Sequence, residues 1–99
     1  EERYRLILST IFNAIGCRVE VEKMISTGRI DMVVETSTII YVLELKLSNN
    51  GGVNAAAEQI KAKRYAEPFK ADKRKIIALA IELEDLGKGL IDWKEVSFA

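Results

Sequence analysis

The pattern of apolar and polar residues along the chain predicts two helices and five strands. Apolar residues recur at helical spacing over residues 2–15, and Gly16 follows as a stop. Alternating or continuous apolar runs predict strands at residues 18–25, 29–35, 39–47, 75–83 and 90–98, separated by turn-forming segments. An alanine-rich segment predicts a second helix over residues 53–67, because Pro68 stands where a helix should end. The order α-β-β-β-α-β-β predicts one α/β domain, with a mixed sheet flanked by helices.

The hairpin of the second and third predicted strands carries the candidate chemistry. If its turn centres on residues 37–38, Asp31 lies opposite Glu44, and Lys46 lies two positions further along the same strand. Side chains alternate along a strand, so these three share one face, and directly opposed Cβ atoms are about 4.5–5.5 Å apart. The register therefore predicts that two carboxylates and one lysine converge beside apolar neighbours.

Two adjacent carboxylates beside apolar side chains are unfavourable unless a proton, a basic partner or a cation compensates them. Lys46 supplies one positive charge, which leaves one carboxylate uncompensated. Oxygen ligands with open water positions suit Mg²⁺. The structural alternative is an exposed ion pair between Glu44 and Lys46, which would contribute little. Because residues 39–47 are otherwise apolar, they indicate a central strand, and we favour the functional interpretation.

Three ordered motifs resemble those of the PD-(D/E)XK nuclease superfamily, which has the restriction-endonuclease-like fold. They are GRID at residues 28–31, YVLELKL at residues 41–47 and AAEQIKAKRYA at residues 56–66. Together with IDWKEV at residues 91–96, they are most similar to a nuclease domain at the C-terminal end of bacterial proteins that begin with an AAA-ATPase-like region. Ile30 replaces the proline of the superfamily pattern, at a position that does not contact the metal.

The resemblance implies roles for individual residues. Asp31 and Glu44 would ligate one or two Mg²⁺ or Mn²⁺ ions. Lys46 would position or help deprotonate the attacking water and stabilise the charge of the transition state. Gln59 would orient Lys46 or the water from the second helix. A glutamate at positions 1–2 could supply a further carboxylate.

The amino-acid composition excludes several kinds of catalytic site. The chain contains no histidine, which excludes Ser-His-Asp and Cys-His catalysis and makes a zinc site improbable. Its single cysteine, Cys17, cannot form an internal disulfide and fits a reducing, cytoplasmic setting. No apolar run is long enough to span a bilayer. The chain lacks an initiator methionine, so we expect a single domain, residues 1–99, excised from a longer protein.

Net charge is zero, but residues 61–75 contain seven basic and two acidic residues. This basic stretch predicts contacts with a nucleic-acid backbone, although a solvated helix end would have the same composition. The predicted contact residues are Lys61, Lys63, Arg64, Lys73 and Arg74. The resemblance favours DNA over RNA, and no base-reading element is evident, so little sequence specificity is expected.

The expected activity is hydrolysis of phosphodiester bonds, and two alternatives stay open at this point. One is a nucleic-acid-binding module that keeps the fold without turnover. The other is a protein-interaction domain that docks on the ATPase part of its parent chain through an apolar patch near Tyr4 or Trp93. The resemblance also suggests a homodimer, because many nucleases of this type cut duplexes as dimers.

Overall fold

The computed structural model describes residues 2–84 and 89–97, and its elements follow the order that the sequence predicts. They are α1 (Glu2–Ala14), β1 (Arg18–Ile25), β2 (Gly28–Glu35), β3 (Ile39–Leu47), α2 (Gly52–Ala62), β4 (Lys75–Glu84) and β5 (Gly89–Val96). Single 3₁₀ turns lie at Ser48–Asn50 and Glu67–Phe69. The α/β class is confirmed.

The five strands form one mixed sheet in the spatial order β1-β2-β3-β4-β5. Strands β3 and β4 pair in parallel, whereas the other three neighbouring pairs are antiparallel. A parallel pair needs a long crossover connection, and α2 lies within it. The sheet is therefore an antiparallel meander followed by one helical crossover, as the predicted restriction-endonuclease-like core requires.

Each face of the sheet packs against one helix. Ala56, Ala57 and Ile60 of α2 pack on one face, which we call the α2 side, against Val33, Ile40, Val42, Ala78 and Ala80. The small alanine side chains let this helix approach the strands closely. Leu8 and Phe12 of α1 pack on the opposite face, the α1 side, against Met32, Val34 and Leu43. The predicted apolar stripe of α1 is thus only partly buried, because Ile7, Ile11 and Ile15 are exposed while Leu8 and Phe12 contact the sheet.

The register of the β2–β3 hairpin agrees with the prediction over the pairs that the sheet forms. Glu35 pairs with Ile40, Val33 with Val42, and the ladder ends at the pair of Met32 and Leu43. The next pair along this register would be Asp31 with Glu44, but the two strands are not paired there. The backbone therefore opens at the position where the candidate chemistry was predicted.

The prediction that α2 continues to residue 67 is wrong, because the helix ends at Ala62. Arg64 adopts a left-handed conformation with φ of 49°, and the N–H of Tyr65 donates to the carbonyl of Ile60 at 3.3 Å. This is the hydrogen bond of a Schellman motif, which normally uses glycine at the left-handed position. The reversal directs Tyr65 into the core, where its side chain is fully buried.

Strand β5 ends at Val96, two residues earlier than predicted. Phe98 and residues 85–88 of the predicted turn lie outside the described residues. Of the two residues named for the predicted apolar patch, Trp93 lies on this outer strand and is 59% exposed. Tyr4 is partly buried, and its hydroxyl donates to the carbonyl of Glu84 at 2.7 Å. Within residues 2–84 and 89–97, no helix has the length and apolar character needed to cross a membrane.

Candidate active site

The open end of the β2–β3 hairpin holds two buried carboxylates. Asp31 comes from β2 and is 4% exposed, and Glu44 comes from β3 and is 2% exposed. They are the charged or polar residues that the described part of the chain buries most completely. The structure therefore brings together the two residues that the hairpin register predicted.

The carboxylate of Asp31 takes the place of a backbone acceptor that the N–H of Leu45 lacks. Its Oδ2 atom accepts a hydrogen bond of 2.8 Å from the backbone N–H of Leu45, just beyond the last pair of the ladder. A buried N–H without a partner would be costly, and here the side chain satisfies it. This bond fixes Asp31 in the gap between β2 and β3, next to Glu44.

The negative charge of an ionised Glu44 would be poorly compensated by its neighbours. Its burial, and secondly the negative charge of Asp31, raise its pKa from 4.5 to about 8, although the ammonium group of Lys46 acts in the opposite direction. Lys46 Nζ lies 3.9 Å from Glu44 Oε2, which is too far for a hydrogen bond. Glu44 Oε1 is buried and has no hydrogen-bond partner within the described part of the chain.

This donor set fits a divalent cation. Mg²⁺ is commonly bound through one or two carboxylates, with water and substrate phosphate completing its coordination. Residues 2–84 and 89–97 contain no cluster of three or more His, Cys, Asp or Glu side chains arranged for a metal. Asp31 and Glu44 could ligate such a cation as a pair, since the buried Oε1 atom of Glu44 has no hydrogen-bond partner in the described part of the chain. Glu1 and the side chain of Glu2 lie outside the described residues.

Gln59 reaches the site through Tyr65. The side-chain amide of Gln59 donates to the hydroxyl of Tyr65 at 2.8 Å, and that hydroxyl donates to the carbonyl of Arg29 at 2.7 Å. Burial raises the pKa of Tyr65 to about 12, and the negative charge of Glu44 contributes, whereas the Gln59 hydrogen bond opposes both. This chain of hydrogen bonds ties the end of α2 to β2, two residues before Asp31.

Two residues beside the site were missed in the sequence. Arg5 of α1 places Nη2 at 2.8 Å from Glu22 Oε1 and Nη1 at 3.7 Å from Asp31 Oδ1. In the sequence, the position of Arg5 beside the apolar stripe of α1 was the only indication that its side chain could lie near the sheet. Nothing in the sequence indicated a role for Glu22, because its position is that of an ordinary exposed residue in an alternating strand.

The predicted nucleic-acid contacts separate into two groups. Lys61, Lys63 and Arg64 are exposed around the end of α2. The hydroxyl of Thr27 donates to the carbonyl of Lys63, and the Lys63 side chain passes over Gly28. This first group therefore lies beside the β1–β2 turn, three residues from Asp31.

The second group, Lys73 and Arg74, lies at the other end of β2. Arg74 Nη2 is 2.7 Å from both Glu35 Oε1 and Asp72 Oδ2, and Nη1 donates to the carbonyl of Thr36. Hydrogen bonds from Arg74 lower the pKa of Asp72 to about 2. Four residues of extended strand, about 13 Å, separate Glu35 from Asp31. The guanidinium of Arg74 thus stabilises the fold at a distance from the carboxylate pair.

Comparison with known proteins decides the family. A sequence model of the PD-(D/E)XK nuclease superfamily matches residues 1–93. The chain belongs to the PD-(D/E)XK nuclease superfamily. As a class, PD-(D/E)XK nucleases cleave nucleic acid and generally use divalent metals, in agreement with the carboxylate pair found here.

This PD-(D/E)XK domain is also similar to a protein of Azotobacter chroococcum mcd 1 named "Uncharacterized protein in vnfD 5'region". The two are 33% identical over 82 residues, which cover 83% of this chain and 16% of the relative. The chain thus spans about a sixth of that relative. No solved structure matches it significantly. The association with an AAA-ATPase-like region stays a prediction.

Proposed function

We propose that this domain is a Mg²⁺- or Mn²⁺-dependent nuclease that hydrolyses phosphodiester bonds of DNA with little sequence specificity. The observation that carries the proposal is the buried and undercompensated pair of Asp31 and Glu44, with Lys46 beside it. Membership of the PD-(D/E)XK superfamily supports nuclease chemistry, and the proximity of Asp31, Glu44 and Lys46 supports these residues as its centre.

Asp31 and Glu44 would hold the cation, which when bound supplies Lewis-acid stabilisation of the charge that develops on the phosphate. Binding requires Glu44 to give up the proton that its raised pKa favours, so uptake strengthens as pH approaches 8. Lys46 Nζ is partly exposed at the mouth of the site, where it can orient the attacking water and stabilise the transition state.

Gln59 would act on the site from α2. Its amide holds the hydroxyl of Tyr65, which is close enough to Glu44 for that charge to affect its pKa. Gln59 thereby limits the movement of the buried groups behind the carboxylates. Of the five predicted backbone contacts, Lys61, Lys63 and Arg64 are the better candidates, because they lie at the site end of β2.

Nicking of supercoiled plasmid DNA with Mn²⁺ tests this function. Asp31→Asn, Glu44→Gln and Lys46→Ala should each lower the nicking rate by about 100-fold or more, because each removes a group used in the transition state. The matched control is Glu35→Gln on the same hairpin, which should cut like the wild type. Salt-dependent DNA binding without cleavage, indifferent to Mn²⁺ and to Glu44→Gln, would show a silent binding module instead.

A further inference from the structure

In both β1 and β2, the side chains switch from one face of the sheet to the other at a single pair of positions. In a regular strand, residues an even number of positions apart point to the same face. Met32 packs on the α1 side, however, whereas Ile30 packs on the α2 side. Val19 and Ile25 of β1 differ in the same way. Both strands therefore turn over between these residues.

The exchange is centred on Glu22 and Asp31. The β1–β2 register is the same on both sides of them, since Val21 pairs with Met32 and Lys23 pairs with Ile30, but the pair between is missing. Glu22 has a φ of 54°, a left-handed conformation that is unfavourable for a residue with a side chain. This local distortion frees Asp31 from the β1 ladder and lets its carboxylate reach Leu45 of β3.

A side-chain bridge replaces the missing backbone pair. The guanidinium of Arg5 contacts Glu22 Oε1 at 2.8 Å and approaches Asp31 Oδ1 at 3.7 Å. The Arg5 side chain is largely buried, and Arg29 Nη1 lies 3.8 Å from the same oxygen of Glu22. Asp31 is thus held on one oxygen by the backbone of β3 and faces a cation from α1 on the other.

We propose that Arg5 and Glu22 are positioning residues that orient the carboxylate of Asp31 toward Glu44. The inference rests on the proposed function for its purpose, but the orientation itself is a property of the metal-free fold. Glu22 contributes twice, since its backbone turns the strand and its carboxylate directs Arg5. Groups that orient metal ligands typically alter metal affinity or activity by about 10- to 100-fold when they are removed.

Glu22→Gly separates these two contributions. Glycine adopts a left-handed φ without strain, which offsets the loss of the ion pair with Arg5, so the turn of the strand is kept and thermal stability should not fall. The carboxylate that directs Arg5 is lost, so the guanidinium can shift onto Asp31 and draw its carboxylate away from Leu45. We expect hydrogen exchange of the Leu45 amide to become about tenfold faster, with the Leu43 amide unchanged.

Mn²⁺ titration by calorimetry provides the second measurement. Glu22→Gly should raise the dissociation constant for Mn²⁺ about tenfold, and Arg5→Lys should have a smaller effect because it keeps the charge but not the fork. The matched control is Glu20→Gln on the same strand, whose carboxylate lies 3.3 Å from Lys23. That variant should leave both the Leu45 exchange rate and the Mn²⁺ affinity unchanged.

The outcomes distinguish the two proposals. Unchanged Leu45 exchange in Glu22→Gly overturns the positioning role, and so does a lower thermal midpoint with faster exchange throughout β2 and β3. A wild-type protein that takes up no Mn²⁺ and cuts no DNA overturns the proposed function, while the Leu45 amide still decides whether Glu22 orients Asp31. Slower Mn²⁺-dependent nicking with unaltered stability supports both.

Discussion

The β2–β3 hairpin carries a glutamate near each end, and the surroundings of the two carboxylates differ in charge and in exposure. Glu35, beside the turn, lies 2.7 Å from Arg74 and is 20% exposed on its side chain. Glu44, at the open end, is 2% exposed, and the ammonium group of Lys46 stands 3.9 Å away. One carboxylate therefore has a close cationic partner and access to water, whereas the other has neither.

This difference distinguishes a structural ion pair from a candidate functional site. The guanidinium of Arg74 joins Glu35, Asp72 and the carbonyl of Thr36, so its contacts link the β2–β3 turn to the start of β4. Burying Glu44 with incomplete compensation lowers the stability of its charged form. An arrangement that costs stability and sits beside a second carboxylate is typical of functional sites.

The largest effect should come from replacing Glu44 and measuring stability against pH with EDTA present. The pKa of Glu44 is about 8 in the folded state and near 4.5 when unfolded. Between these values the folded state binds a proton that the unfolded state does not, so the free energy of unfolding falls as pH rises. The fall is at most about 4 kcal/mol. Glu44→Gln should abolish it and be more stable than the wild type at pH 8.

Denaturant unfolding at pH 5, 6.5 and 8 provides the measurement. Glu35→Gln serves as the control and should keep the pH dependence of the wild type, because Glu44 is intact. If the wild type were equally stable at pH 5 and pH 8, Glu44 would not be the strained group described here.

Arg74→Ala should have a smaller effect, and on stability alone. It removes hydrogen bonds to Glu35, Asp72 and Thr36, so a modest loss of stability is expected. Thermal unfolding measures the loss, and plasmid nicking at 25 °C should be unchanged. A nicking rate that fell with Arg74→Ala, in a protein still folded, would show that the turn end takes part in the reaction.

The smallest effect concerns the two basic groups. Lys61→Ala with Lys63→Ala should weaken DNA binding several-fold and reduce the slope of log affinity against log salt by about 2. The matched pair Lys73→Ala with Lys75→Ala removes the same charge at the other end, where the backbone N–H of Lys75 donates to the carbonyl of Thr38, and should leave the slope unaltered. Fluorescence anisotropy with a labelled duplex at several salt concentrations compares them. Equal losses from both pairs would indicate one continuous binding surface.

Much of the fold could be predicted because local signals agree with tertiary packing. Turn-forming residues at 26–28 and 36–38 bound the first three strands, and the short turn fixes the register that brings Asp31 and Glu44 together. The end of α2 could not be predicted, because residues 61–67 have good helix propensity. The helix stops there since Tyr65 must enter the core, and Arg64 takes the left-handed position that glycine usually marks.

The finer geometry of the site depends on interactions that a strand pattern does not show. The alternation in β1 and β2 predicts regular strands throughout, yet both turn over at Glu22 and Asp31. The contact of Arg5 with Glu22 joins residues of α1 and β1, and only tertiary packing brings them together. Likewise, the contiguous basic stretch in the sequence divides between two ends of β2 in space.

The most direct test of the central claim is calorimetric titration of Mn²⁺ into the wild type, Asp31→Asn, Glu44→Gln and Glu35→Gln. The account predicts uptake by the wild type and by Glu35→Gln, with proton release that reflects the raised pKa of Glu44. Asp31→Asn and Glu44→Gln should each bind at least about tenfold more weakly. Uptake that was absent from the wild type, or equally strong in Glu44→Gln, would contradict it.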